Sequence, residues 1–128
     1  MEKFDYTVVT AKNVDEAVAA IEAKSKEKGF SVLHIHDVSA TLEGKGFHRE
    51  PLKIIEICNA KYASQVLDKD IKISLMLPCP ISVYAEKGKT FISTLKPKVI
   101  ADFYPGADIR ELADEVDRIV LSIVDESK

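Results

Sequence analysis

Two cysteines, Cys58 and Cys79, carry the most reactive side chains in this sequence. Cys58 closes the run Lys53 to Cys58, which reads as a strand. Cys79 immediately precedes a second such run, Ile81 to Glu86. If those strands pair antiparallel, the end of one lies beside the start of the other, so the sulfurs come close despite 20 intervening residues. Cys58 also precedes a helix start at Asn59, where the helix dipole favours a thiolate. A close dithiol supports redox, persulfide or soft-metal chemistry. The plainer account is that both thiols act as small buried hydrophobes.

A second group is His34-Ile35-His36. Alternate residues of a strand point the same way, so both imidazoles can reach one ion. Glu56 and Cys58, on the same face of a neighbouring strand, would complete a His/Cys/Glu set suited to zinc or iron. No Cys-x-x-Cys spacing accompanies it, and two histidines lining a dimer surface, or hydrogen-bonding to it, are the plainer reading. Glu56 stands between Ile55 and Ile57, where a buried, unpaired carboxylate is costly. Paired with His36 it can serve as a general base; otherwise it faces solvent on the open side of a sheet. The stretch Gly44-Lys45-Gly46-Phe47-His48-Arg49 combines glycines and cations that can embrace an anion. It is not a Walker loop, and a solvated loop is the simpler reading. Tyr84 adds a hydroxyl or a packed ring to the same sheet. There is no Gly-x-Ser-x-Gly elbow and no dinucleotide fingerprint, so no cofactor follows from the sequence.

The elements that must position these groups are legible from periodicity. Phe4 to Thr10 reads as a strand. Asn13 and Glu16 form a capping box ahead of the helical stripe Val14, Ala17, Val18 and Ile21, and Gly29 suits the left-handed stop. Ser31 to Asp37 alternates, which places Leu33 and Ile35 on one face and Val32, His34 and His36 on the other. Thr41 to Pro51 reads as a loop. Lys53 to Cys58 sets Ile55 and Ile57 against Ile54, Glu56 and Cys58. Asn59 caps a helix through about Asp68, anchored by Tyr62, Val66 and Leu67. Pro78-Cys79-Pro80 is expected to block helix and ladder alike. Ile81 to Glu86 and Lys89 to Leu95 form a hairpin about Lys87-Gly88. Lys96 to Tyr104 reads as an ambiguous stretch that extends the sheet edge. Asp108 caps, with Glu111 closing its box, a final helix of about four turns. Its core stripe is Ile109, Leu112, Ala113, Val116, Ile119, Val120 and Ile123.

Short connections favour an antiparallel meander in the middle of the chain, and two amphipathic helices cover one face of about five strands. The expected fold class is α+β. The other sheet face is left without a cover, and Val32, Ile54 and Ile92 are expected to share it with His34, His36 and Glu56. With 128 residues, 46% hydrophobic and 30% charged, the chain fits one globular domain over residues 1–128. A net charge of −3 and a pI near 5.6 argue against a dedicated nucleic-acid binder. A mean hydropathy of −0.03 and the lack of a long apolar run exclude a membrane-spanning helix. Met1 to Asp5 shows no basic start leading into an apolar stretch, so the expected compartment is the cytoplasm. Two cysteines are too few for a disulfide-built scaffold.

The segments Ile55-Glu56-Ile57-Cys58-Asn59-Ala60 and Leu77-Pro78-Cys79-Pro80-Ile81-Ser82-Val83-Tyr84 resemble the domain of unknown function family 302, as does His36-Asp37-Val38. The resemblance covers nearly the whole chain, and the Leu-Pro-Cys motif before a strand is its most specific part. The family usually has Cys-Asn-Pro where this chain has Cys58-Asn59-Ala60, a loss that weakens a helix-start signal but keeps the cap. The resemblance implies a β-α-β(4)-α fold like that of the TATA-binding-protein class, and a homodimer. It implies no established activity.

Two functional expectations follow. The first is a homodimeric module that binds a small-molecule ligand or a partner through the helix-free sheet face. The second is a thiol- or metal-dependent redox or sulfur-handling enzyme or sensor. It would use Cys58 as the more nucleophilic sulfur, Cys79 as the resolving thiol or second ligand, and His36 as base or ligand.

Overall fold

The computed structural model describes residues 3–128, so the first two residues of the stretch read for a leader lie outside it. Its strands are β1 (Asp5–Thr10), β2 (Ser31–Asp37), β3 (Leu52–Cys58), β4 (Cys79–Glu86) and β5 (Lys89–Leu95). Its helices are α1 (Val14–Glu27), α2 (Val38–Glu43), α3 (Ala60–Lys69), α4 (Val99–Phe103) and α5 (Arg110–Ser127). The sheet order is β1-β5-β4-β3-β2, and every neighbouring pair is antiparallel. The middle four strands therefore form the expected meander, and β1 adds to its far edge. The fold is α+β with helices packed on one face of a five-stranded sheet.

Local chemistry sets most of the boundaries. The Asn13 side chain accepts from the Glu16 amide at 2.8 Å, and Glu16 accepts in return from the Asn13 amide at 2.9 Å, which closes the capping box of α1. Gly29 ends that helix at φ +83°, a conformation a side chain would disfavour. Lys87 and Gly88 both adopt positive φ, which matches the twist of a tight hairpin between β4 and β5. Asn59 caps α3 by accepting from the Tyr62 amide at 3.1 Å.

The main core lies between the sheet and the pair α1 and α5. Ile55, Ile57, Ile81, Val83 and Ile92 of the sheet are fully buried against Ala17, Ile21, Val120, Ile123 and Val124 of the helices. Each such aliphatic side chain contributes about 1.5–3 kcal/mol relative to exposure. A second cluster sits beside it: Val66 from α3, Ile73 from the 3-10 turn Ile71–Met76, Ile100 and Ala101 from α4, and Ile109 and Ala113 around the start of α5. Asp117 of α5 is buried between these layers and accepts from the Lys98 amide at 3.1 Å, so its cost of burial is offset where α4 begins. Among the described residues, no helix is long and apolar enough to cross a membrane.

The structure corrects several local expectations. Val38–Glu43 is a helix, capped by Asp37 at 3.0 Å from the Ala40 amide, so the loop read from Thr41 begins later. β4 already includes Cys79 and Pro80, and Pro80 pairs with Glu56. A proline at the start of a strand is tolerated, and the Pro80 carbonyl accepts from the Thr94 hydroxyl at 3.0 Å. Lys96 to Tyr104 does not extend the sheet. Pro97 stops the ladder, and the apolar run Val99-Ile100-Ala101 buries itself as a short helix. Asp108 does not cap α5: it takes a left-handed turn at φ 54°, and the 18-residue helix begins at Arg110, longer than four turns.

Ser25 is fully buried in α1, and among the described residues its hydroxyl has no hydrogen-bond partner. Removing that unsatisfied group in Ser25→Ala should stabilise the fold by about 1 kcal/mol. Urea denaturation of the two proteins checks this, and a less stable variant would contradict it.

Candidate functional site

The helix-free face of the sheet is a grid, because antiparallel partners project to the same side. One row runs His36, Ile54, Ser82, Ser93 and Thr7 across all five strands. The row on one side carries Leu52, Tyr84, Phe91 and Val9; the row on the other carries His34, Glu56 and Pro80, then Leu95 and Asp5. His36 Nε2 lies 3.0 Å from Glu56 Oε1, and the His34 ring meets the His36 ring edge-on with centroids 4.4 Å apart. Across β4, β5 and β1 a hydroxyl chain runs from Tyr84 to Ser93 (2.9 Å), from Ser93 to Thr7 (2.8 Å), and from the Thr7 hydroxyl to the accepting Asp5 carboxylate (2.8 Å). Tyr84 also stacks on Phe91 at 5.6 Å. Thr7, Ser93 and Phe91 were missed in the sequence, where their alternation with Val8, Ile92 and Thr94 was the available signal.

Two residues expected on this face lie on the other. Ile92 is fully buried under the helices. Val32 packs on the same core, because a register shift between Val32 and His34 breaks the alternation of β2 and brings Val32 and Ile35 to one side. Ile54, His34, His36 and Glu56 are where the pattern put them. Glu56 is partly exposed and paired, so it is not a stranded buried carboxylate. The glycine-rich loop forms no anion cradle around its histidine. His48 Nδ1 is exposed and lies 2.9 Å from Glu43 Oε2.

Cys79 projects to the other side of the sheet, with the buried Ile57. Cys79 is the register partner of Ile57, so Cys58 is the next residue along the facing strand. Both are half-buried free thiols and line one cavity of about 40 Å³, bounded on the helix side by Phe30, Tyr62, Val66 and Val116. Cys58 stays in register with Ser31 at the end of β3. Asn59 fixes this corner: it caps α3 and donates its side-chain amide to the Gly29 carbonyl at 2.9 Å. Of the predicted set Cys58, Cys79, His36 and Glu56, the ladder brings His36 and Glu56 together as an imidazole–carboxylate pair, and Cys79 lies on the other side of the sheet from them. Among the described residues no three or more His, Cys, Asp or Glu side chains are grouped to hold one metal ion.

The family model described as "Domain of unknown function DUF302" matches residues 6–127. This chain belongs to the DUF302 family. Its fold superposes with a TM-score of 0.92 on the crystal structure of an uncharacterized conserved DUF302 protein from Bacillus stearothermophilus, at 29% identity over 98% of each chain. No curated protein matches the sequence significantly.

In this DUF302 chain the thiols are tuned away from nucleophilicity. Desolvation pushes the Cys58 thiol up. Burial, followed by repulsion from a charge on Cys58, pushes Cys79 up to about 11. The start of α3 beside Cys58 does not outweigh burial, so neither sulfur has the depressed ionisation that a thiolate catalyst requires. The native protein should therefore alkylate slowly at neutral pH. Stability carries the same signature. The unfolded Cys79 ionises near its ordinary 9.0, before the folded one. The contribution is then fully present below about pH 9 and is lost as pH rises toward 11, by about 2–3 kcal/mol. Urea denaturation across that range should show this decline in the wild type and a shallower one in Cys79→Ser; identical slopes would refute the assignment.

Proposed function

We propose that this DUF302 protein is a homodimeric binding module whose working surface is the helix-free sheet face. The observation that carries this reading is the continuity of that face: three adjacent rows, one of them across all five strands, with a stacked Tyr84–Phe91 pair and, among the described residues, no helix laid over it. Val9 alone is 55% exposed at one end of the aromatic row, where an apolar side chain gains from a partner.

A second copy fits this face in area and in charge. Five strands about 4.8 Å apart and seven residues long at about 3.3 Å each present on the order of 500 Å² in plan. Side-chain relief brings that near the ~800 Å² per partner typical of stable interfaces. The ionisable groups of the three rows are the carboxylates of Asp5 and Glu56 and the imidazoles of His34 and His36, so carboxylate–imidazole hydrogen bonds between copies are available. A two-fold axis along β4 lays β1 of one copy over β2 of the other, which sets Asp5 opposite His34. The His36–Glu56 pair then lies where a small polar ligand can be hydrogen-bonded between the two sheets.

Phe91→Glu places a carboxylate in the aromatic row without touching the helix-covered core. Sedimentation equilibrium at micromolar concentration should give a dimer for the wild type and a monomer with unchanged circular dichroism for the variant. A monomeric wild type, or a variant that still dimerises, would overturn the reading.

A further inference from the structure

Three hydroxyl contacts on the open sheet face fix where each proton of the chain lies. Tyr84 Oη and Ser93 Oγ are 2.9 Å apart, Ser93 Oγ and Thr7 Oγ1 are 2.8 Å apart, and Thr7 Oγ1 lies 2.8 Å from Asp5 Oδ2. An ionised carboxylate has no proton to give, so Thr7 donates to Asp5. A hydroxyl carries one proton. That of Thr7 is spent, so Ser93 supplies the contact to Thr7, and Tyr84 supplies the contact to Ser93. Any other assignment leaves two oxygens at hydrogen-bond distance with no proton between them. The chain is therefore polar from end to end, and all of its protons turn toward Asp5.

The consequence falls at the Tyr84 end. With its proton committed to Ser93, the phenolic oxygen has only lone pairs left to offer. Its strength as an acceptor is raised by the bonds that follow it down to the carboxylate, since each donation in such a chain polarises the next. The other polar group of the face has the same sense. His36 Nε2 lies 3.0 Å from Glu56 Oε1, so in the neutral ring Nε2 carries the proton and Nδ1 is the bare acceptor. Two networks on different strands each end at a carboxylate, and each turns its protons inward. Beside the phenolic oxygen, the Tyr84 ring stacks on Phe91 with centroids 5.6 Å apart. In the next row, Lys89 faces Glu86 across the hairpin.

We propose that the open face recognises a small organic amine in its ammonium form, with one N–H donated to Tyr84 Oη and the hydrocarbon part lying against Phe91. This names the ligand class of the surface proposed above and rests on that reading. An ammonium is all donor and no acceptor, which matches an oxygen that can only accept. A hydrogen bond from an ionised donor is also about twice as strong as a neutral one. The aromatic pair adds a second attraction, because the faces of Tyr and Phe rings draw in a cation held within about 6 Å. A carboxylate ligand fits badly. It brings lone pairs against lone pairs, and turning the Tyr84 proton outward to meet it would leave the contact with Ser93 without one. The recognition is non-covalent, and no bond is made or broken.

The test is a pair of titrations of the isotope-labelled full chain, followed by amide chemical shifts. The probes are phenethylammonium and hydrocinnamate, which share a phenyl body and carry opposite charges. The ammonium should bind about 10-fold more tightly or better, with shifts centred on Tyr84, Phe91 and Ser93, since a hydrogen bond to a charged group sustains that ratio. Tyr84→Phe keeps the ring and removes the acceptor. Ser93→Ala keeps Asp5 and the aromatic pair but frees the Tyr84 proton to turn outward. Each should lower the ratio by about 5-fold. Ser93→Ala leaves the net charge untouched, so simple attraction of a cation to an acidic protein would keep the ratio there. The proposal is overturned if hydrocinnamate binds the wild type as tightly, if neither probe shifts the face at millimolar concentration, or if Ser93→Ala retains the full preference. The wild-type ratio is read without any variant, so a poorly folding substitution does not blunt the test. Sedimentation equilibrium of the same samples reports the dimer separately: a dimer without the preference overturns this inference alone, and a monomer that keeps it overturns the dimer alone.

Discussion

Register between β3 and β4 is the constraint on which both candidate surfaces depend. Ile55 opposes Ile81, Glu56 opposes Pro80, and Ile57 opposes Cys79. Side chains alternate with period two, so a slip of one residue would send the isoleucines to solvent and Glu56 into the core. The penalty for that exchange is severe, since Ile55, Ile57 and Ile81 are all fully buried. The hydrophobic effect therefore sets the register. The outward row and the cysteine corner are consequences of it. Glu56 meets His36 because the neighbouring pair β2–β3 is held in register by Ile35 against Ile55.

The seam cavity has a different origin. α1 and the C-terminal half of α5 pack on the sheet, whereas α3, α4 and the first turn of α5 pack mainly on one another. Two clusters built on different frames do not interdigitate fully where they meet. At about 24 cal/mol per Å³, a 40 Å³ void costs about 1 kcal/mol. A larger apolar residue at Cys58 or Cys79 could recover part of that energy by filling the space. The chain instead places two of its least bulky polarizable side chains there. In energetic terms the corner is under-packed at the two positions that carry sulfur, a pattern that packing alone does not favour.

Much of this was legible in the sequence where the signal was local. The Asn13–Glu16 box, the Asn59 cap, the Lys87-Gly88 turn and the alternation of Ile54 to Ile57 are decided by neighbours within a few residues, and the structure agrees with each. The failures are tertiary. Nothing near Leu33 announces the bulge that turns Val32 inward; it is fixed by the requirement that Val32 meet Ile57 and Ile35 meet Ile55 at once. Asp108 has the composition of a cap, yet the compact turn Pro105–Ala107 delivers the chain to α5 through a left-handed residue and leaves the carboxylate off the helix start. Ile92 was misassigned because β5 is buried on the helix side through Ile92 and Thr94, and the phase of one short strand relative to the others cannot be read until its partners are known.

The two candidate surfaces share β3 without sharing any groups. His36, Glu56, Tyr84 and Phe91 project from one face of the sheet, and none of them lines the thiol cavity, which is closed by helices on the other. A second copy seated on the open face would leave the seam untouched. Their chemistries are also distinct. The outer face offers ionisable imidazole, carboxylate and hydroxyl groups in contact with solvent, where hydrogen bonds exchange readily with water and confer orientation more than affinity. The inner seam is lined almost wholly by apolar side chains, with Cys79 beside them. One strand thus carries Glu56 on the open face and Ile55 and Ile57 in the core. It can do so because the sheet itself separates the two environments.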